Sequence, residues 1–240
     1  MRYHALAADY DGTLASRGRL DGATSASLRR LQASGRKLIL VTGRQIEDLV
    51  RVCAEIDLFD LIVAENGGVL RDPVTRVERP LAEPPPAAFL GALRARKIDP
   101  LSVGRVIVAT LTPFEPRVRD AMSTCGISRQ LIFNKGALMI LPEGIDKASG
   151  VRAGLAELGI LPENAVAVGD AENDGPFLAA CGCGVAVANA LPALKQQADL
   201  VTTGSCGAGV SELVDALVTD DLAGVSVARR PGREILRFGP

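Results

Sequence analysis

Two aspartates, Asp9 and Asp11, stand two residues apart where the apolar run 4–9 (HALAAD) gives way to Tyr10-Asp11-Gly12-Thr13-Leu14. On an extended strand they would point the same way, but a turn starting at Asp11 separates them. One carboxylate can then hold a metal ion and attack an electrophile, while the other gives and takes protons. The same pair also reads as a surface Asx turn leading into a Gly-Thr loop. Thr42-Gly43-Arg44 follows a second apolar run immediately before a helical pattern. A hydroxyl, a bare backbone amide and a helix start make a cradle for an oxyanion; a plain N-cap at Thr42 is the ordinary alternative. Lys147 follows Asp146, the N-cap expected for a helix over 147–158. A cation in that first turn opposes the helix macrodipole, which asks for an anionic partner such as phosphate or a nucleophilic carboxylate, unless the lysine is simply solvated. Gly169-Asp170-Ala171-Glu172-Asn173-Asp174 closes a further apolar run. Asp170, at the strand end, can reach a metal shared with Asp9, although acidic clusters also cap helices. A calcium loop fits poorly, because a strand precedes the cluster and no bidentate Glu stands at the required distance.

The elements that must position these residues are legible as alternating strand and helix patterns. Residues 4–9, 37–41 and 60–64 read as short buried strands, with helices at 24–34 and 45–55 between them. The rhythm resumes after residue 146 with helix 147–158, strand 165–169, helix 173–180, strand 183–187, helix 191–197, strand 199–201 and helix 209–219. Such alternation predicts an α/β fold: a Rossmann-like parallel sheet covered on both faces, with ligands beyond the carboxyl ends of its strands.

The middle of the chain has a different rhythm. Residues 67–80 read as a hairpin with Asp72-Pro73 at its turn. Pro84-Pro85-Pro86 then opens a helix near 86–97, followed by a strand at 105–111, a helix at 115–124 and paired strands at 129–134 and 136–141 around Asn134-Lys135-Gly136. We therefore expect a discontinuous core, 1–80 and 144–221, with an inserted α+β unit over 81–143 that serves as a cap. Residues 222–240 are basic and read as a hairpin, Val225–Ala228 with Glu234–Phe238, either an edge addition or the start of another domain.

Composition narrows the function. Of 240 residues 48% are hydrophobic, yet no run approaches the ~20 apolar residues needed to span a bilayer. The N-terminus runs straight into an apolar strand with no room for a signal peptide, so a cytoplasmic protein without a membrane partner is expected. A net charge of −1, no Trp and two Tyr leave little to bind or stack nucleic acid. His4 is the only histidine, which excludes His-based triads, and Cys181-Gly182-Cys183 matches no usual zinc spacing. The five cysteines read as small thiols in a reducing compartment.

Four chemical signals thus fall in one order at the ends of core strands or at the next helix start, a conjunction that separate structural explanations account for badly. DYDGTL, Thr42-Gly43-Arg44, Lys147 and GDAEND, with Asn66-Gly67-Gly68 after the third strand and the insertion, resemble the haloacid dehalogenase superfamily in its Cof-type branch, to which sucrose-phosphate, trehalose-phosphate and archaeal phosphoglycolate phosphatases are similar. The resemblance implies a phosphomonoesterase for a small phosphorylated metabolite, of the sugar phosphate or phosphoglycolate class, with Mg²⁺ as cofactor. It makes Asp9 the nucleophile and a metal ligand. Asp11 becomes the acid and base, its carbonyl also on the metal, and Asp170 the remaining ligand. Asp174 would support Asp170 or Lys147. Thr42, Gly43, Lys147 and Asn173 would hold phosphoryl oxygens, while Arg44 and Asn66 reach the leaving group. The cap loop around Lys135 could touch the leaving group too, although a solvated turn lysine is the plainer reading. A dehalogenase needs neither Mg²⁺ nor Asp11. A phosphomutase would share every core residue, and a regulatory domain of a longer chain would keep the fold, supported only by the tail.

Overall fold

A computed structural model describes residues 1–224, so the hairpin expected at 225–240 lies outside the described residues. The chain begins with β1 (Ala5–Asp9), α1 (Gly22–Ala33), β2 (Lys37–Val41), α2 (Ile46–Val52) and β3 (Leu61–Ala64). The antiparallel pair β4 (Val69–Arg71) and β5 (Glu78–Pro80) follows, as the Asp72-Pro73 turn predicts. Next come α3 (Ala87–Ala95), β6 (Ser102–Val103), β7 (Val108–Leu111), α4 (Glu115–Cys125), β8 (Gln130–Asn134) and β9 (Ala137–Leu141). The chain returns through α5 (Lys147–Glu157), β10 (Ala165–Gly169), α6 (Gly175–Ala180), β11 (Cys183–Ala186), α7 (Pro192–Gln197), β12 (Leu200–Val201) and α8 (Gly207–Asp220).

Eight strands form the principal sheet in the order β12-β11-β10-β1-β2-β3-β4-β5, parallel from β12 through β3. Every residue of β1, β3, β10 and β11 is buried. That is what sandwiching between helices demands of short runs such as ALAAD and AVAVG. Helix α1 packs on α8, and α5 on α6. Strand order reverses between β1 and β10, and Ala8 is level with Val168. The switch point of the sheet therefore brings Asp9 beside Asp170, as far apart in sequence as 9 and 170 are.

A second sheet, order β6-β7-β9-β8, is antiparallel throughout. Side chains alternate along β9: Leu138 and Ile140 face α3 and α4 in a cluster with Phe89, Leu93 and Val118, while Met139 and Leu141 join the principal core. Fully burying one such side chain is worth about 1.5–3 kcal/mol, so both faces of this sheet are committed.

Three local expectations change. The strand expected at 105–111 begins only at Val108, because the amides of 105–107 leave the sheet to bond a core carboxylate, and β6 takes the sheet edge. The helix expected from 173 opens with a 3₁₀ turn, Glu172–Asp174, and becomes α-helical at Gly175, where Pro176 needs no N–H donation. Helix α2 starts at Ile46 with Gln45 as N-cap, so Thr42 caps no helix; its Oγ1 accepts from Arg44 N at 3.1 Å in a local turn. Among the described residues no helix is long and apolar enough to cross a membrane, and Cys53, Cys181 and Cys183 are buried.

Candidate active site

Asp9 ends β1 with 5% of its surface exposed, and its Oδ1 accepts from Lys147 Nζ at 2.5 Å. Lys147, equally buried, donates at 2.5 Å to Asp174 Oδ1 as well. Its helix is locked by a capping box in which Asp146 Oδ1 accepts from Ser149 N, and the two carboxylates offset the first-turn placement of the cation. Burial alone would lower the Lys147 pKa, but Asp174 and Asp9 more than reverse this, so the ammonium persists. Burial and the Asp174 charge push the Asp9 carboxyl upward against the pull of Lys147. Within this buried cluster two carboxylates share one ammonium.

Asp174 spends its second oxygen on the amides of Asp170 (2.8 Å) and Ala171 (2.9 Å), so it supports both Asp170 and Lys147. Oxygens of Asp9, Asp170 and Asp174 lie within 4.8 Å of one another. With Asp174 committed to protein donors, Asp9 and Asp170 are the pair able to turn oxygens toward an ion.

Asp11 has the opposite environment. Its side chain is 41% exposed, and both oxygens are held by Arg44, Nε at 2.6 Å and Nη2 at 2.8 Å. The loop behind it is fastened by Leu14 N to Asp9 O and Ala15 N to Tyr10 O, which turns Asp11 away from Asp9. Arg44, expected at the leaving group, lines the cavity but is engaged with Asp11 through a planar fork that a local sequence reading does not reveal.

Asn66 is buried, with φ 54, and its Oδ1 accepts from Asn173 Nδ2 at 2.8 Å. Asn66 Nδ2 and Asn173 Oδ1 have no protein partner. A buried amide donor without an acceptor suits a site that receives an anion. A cavity of about 250 Å³ gathers Asp9, Asp11, Gly43, Arg44, Lys147 and Asn173 on its core side, with Asn134, Lys135 and Met139 from the second sheet. Thr42, Asn66, Asp170 and Asp174 lie beneath this surface, each at most 6% exposed.

Of the two sequence readings of Lys135, the structure overturns the plainer one. The residue is not a solvated turn lysine: the β8–β9 turn carries it over the sheet edge, where Nζ lies 2.8 Å from Asp170 Oδ2 and 3.3 Å from the Asp11 carbonyl. Only the hairpin's tertiary position reveals this. Asn134 and Met139 were missed for the same reason; the Asn-Lys-Gly turn was their only local signal.

A doubly wound α/β sheet with paired aspartates at its switch point, a buried lysine bridging carboxylates and a second sheet closing over them is the architecture of a phosphoryl-transfer hydrolase. The pattern of the haloacid dehalogenase-like hydrolases matches residues 6–79 and 117–214, and the chain belongs to that family. It is similar to the phosphoglycolate phosphatase of Methanothermobacter thermautotrophicus, 33% identical over 217 residues that cover 88% of this chain and 96% of that one. In fold it is similar to a haloacid dehalogenase-like hydrolase from Bacteroides thetaiotaomicron (TM-score 0.71, 20% identity, 90% of this chain and 99% of that one). It also resembles a subclass IIB sugar phosphatase of the same superfamily (TM-score 0.68, 19% identity, 89% and 97%). The protein is a phosphatase.

Proposed function

We propose that the protein hydrolyses a small anionic phosphomonoester of the phosphoglycolate class through a phosphoryl group carried on Asp9, with Mg²⁺ as cofactor. The observation that carries this reading is the buried Asp9–Lys147–Asp174 bridge, with Asp11 half-exposed two residues further on. Unlike environments give the two aspartates unlike tasks. The anchored carboxylate attacks phosphorus. The exposed one, once it has left the Arg44 fork and taken a proton from solvent, gives that proton to the departing ester oxygen. Water then attacks the phosphorus of the acyl phosphate, Asp11 takes its proton, and phosphate leaves with the Asp9 carboxylate restored. Lys147, the Gly43 amide, the Thr42 hydroxyl, Asn173 and the open Asn66 Nδ2 hold the phosphoryl oxygens.

The residues fit a magnesium ion. Asp170 Oδ2 and the Asp11 carbonyl already converge on one cation, the Lys135 ammonium, and the donor set with Asp9 is entirely hard oxygen. When bound, Mg²⁺ neutralises charge so that an anionic carboxylate can approach an anionic phosphate.

Three observations support the substrate class. The cavity is small, Arg44 and Lys135 place two cations at its wall, and the relative from Methanothermobacter thermautotrophicus is a phosphoglycolate phosphatase, whose leaving group is a hydroxy acid. The core is assigned to 1–80 and 144–221, and the insert 81–143 acts as the lid that selects and desolvates the ester. The test is a single-turnover reaction quenched in acid, followed by mass analysis of the peptide carrying Asp9. A phosphoryl adduct there is expected; turnover with no adduct in wild type or in a slowed Asp11→Asn variant would refute the covalent route.

A further inference from the structure

We propose that Glu65 is a positioning residue for phosphoryl binding: it ties docking of the inserted unit to the placement of Asn66. The inference rests on the phosphatase reading above, in which Asn66 faces the transferred group.

Glu65 is fully buried, and its carboxylate is unused by the chemistry. Oε1 accepts from Arg105 N at 2.9 Å, and Oε2 accepts from Val106 N at 2.8 Å and Ile107 N at 3.0 Å. Three consecutive amides of the insert thus form an anion nest around a core side chain. The fit is tight: a Cβ on Gly104 would lie 2.5 Å from Glu65 Oε1, so this position takes only glycine while the carboxylate is in place. The side chains of Val106 and Ile107 pack into the principal core, and the Arg105 guanidinium pairs with Glu47 on α2 and Glu78 on β5.

The backbone at this point is strained. Glu65 (φ 51) and Asn66 (φ 54) are consecutive non-glycine residues in the left-handed region, which L side chains enter only when their surroundings hold them there. Glu65 N donates to Arg44 O and Asn66 N to Thr42 O, both at 2.9 Å. Gly67 presses against the start of α5, where a Cβ would fall 1.8 Å from Asp146 O. Three successive residues therefore touch the insert, the Asn173 amide and the base of Lys147. If the nest opens, the unpaired carboxylate swings toward water and the left-handed pair relaxes. The open Nδ2 of Asn66 then loses its direction. Conversely, an anion that holds Asn66 in place tightens the nest, since coupling between two sites is reciprocal.

Hydrogen exchange of the wild-type protein with Mg²⁺, with and without saturating inorganic phosphate, reads this coupling directly. Phosphate is expected to slow exchange at amides 105–107 by ten-fold or more along with amides 42–44. Protection at 42–44 with none at 105–107 overturns the inference and leaves the phosphatase reading standing; protection at neither overturns both. The isosteric Glu65→Gln variant turns an amide donor toward the nest. It should accelerate exchange at 105–107 and lower kcat ten-fold or more with KM changed less than three-fold, whereas in an Asn66→Ala background it should cost less than two-fold. An equal loss of kcat in both backgrounds would make Glu65 a fastening only, acting independently of Asn66.

Discussion

Replacing Lys147 with methionine removes the charge that the buried carboxylates share while keeping most of the volume. Lys147 Nζ is 2.5 Å from both Asp9 and Asp174, all three side chains being almost wholly buried. Breaking a buried pair from one side costs about 3–5 kcal/mol. Asp174 keeps its two backbone amides, so the lower end, about 3 kcal/mol, is expected. For a protein of this size that is a Tm drop of roughly 6–12 °C. The sign of the pH dependence follows from Asp9, whose carboxyl burial and Asp174 already push upward and which loses the opposing pull of the lysine. A carboxyl raised in the folded state supports folding fully below its unfolded value, about 3.9, and loses that support as pH rises through the folded value. The deficit relative to wild type should therefore be smaller at pH 5 than at pH 8. Thermal and urea unfolding in chelator at both pH values would measure it. Added Mg²⁺ should return part of the stability and none of the turnover. A variant within about 1 kcal/mol of wild type at pH 8, or an equal deficit at both pH values, would refute the charge-network reasoning.

Asp9→Asn should abolish turnover. Asp11→Asn should cut kcat by about 10²–10⁴-fold by removing proton transfer while leaving Mg²⁺ binding near wild type by calorimetry; near-normal turnover in either variant contradicts the assigned roles. Strong chelation should silence the enzyme, Mg²⁺ should restore it and excess Ca²⁺ should inhibit, because calcium accepts the wrong coordination number; full activity in chelator would sink the metal assignment. Lys135→Ala should lower kcat/KM for phosphoglycolate by about 10–100-fold, the value of a charge-assisted hydrogen bond, and by much less for an aryl phosphate whose leaving group carries no carboxylate; equal losses would place Lys135 outside leaving-group recognition.

The candidate site was legible because its residues sit where local pattern changes. Asp9 and Asp170 mark the carboxyl ends of apolar runs, and parallel strands covered on both faces must end on one edge, so reading the strands locates the carboxylates. Lys147 announced itself by standing in a helix turn that repels it. The second, antiparallel sheet showed in the sequence as a change from alternating βα to mixed rhythm. What remained hidden depends on which distant segments meet. Arg44 grips Asp11 because β1 and β2 are neighbours in register. Lys135 reaches Asp170 because a hairpin 35 positions upstream folds over the sheet edge. Glu65, which by type belongs on a surface, is buried because three amides of the insert replace its water. A side chain's type and its neighbours in sequence set the chemistry it is able to do. Its partner is set by chain closure over tens of residues, where the free energy of packing, not local propensity, decides which charges meet.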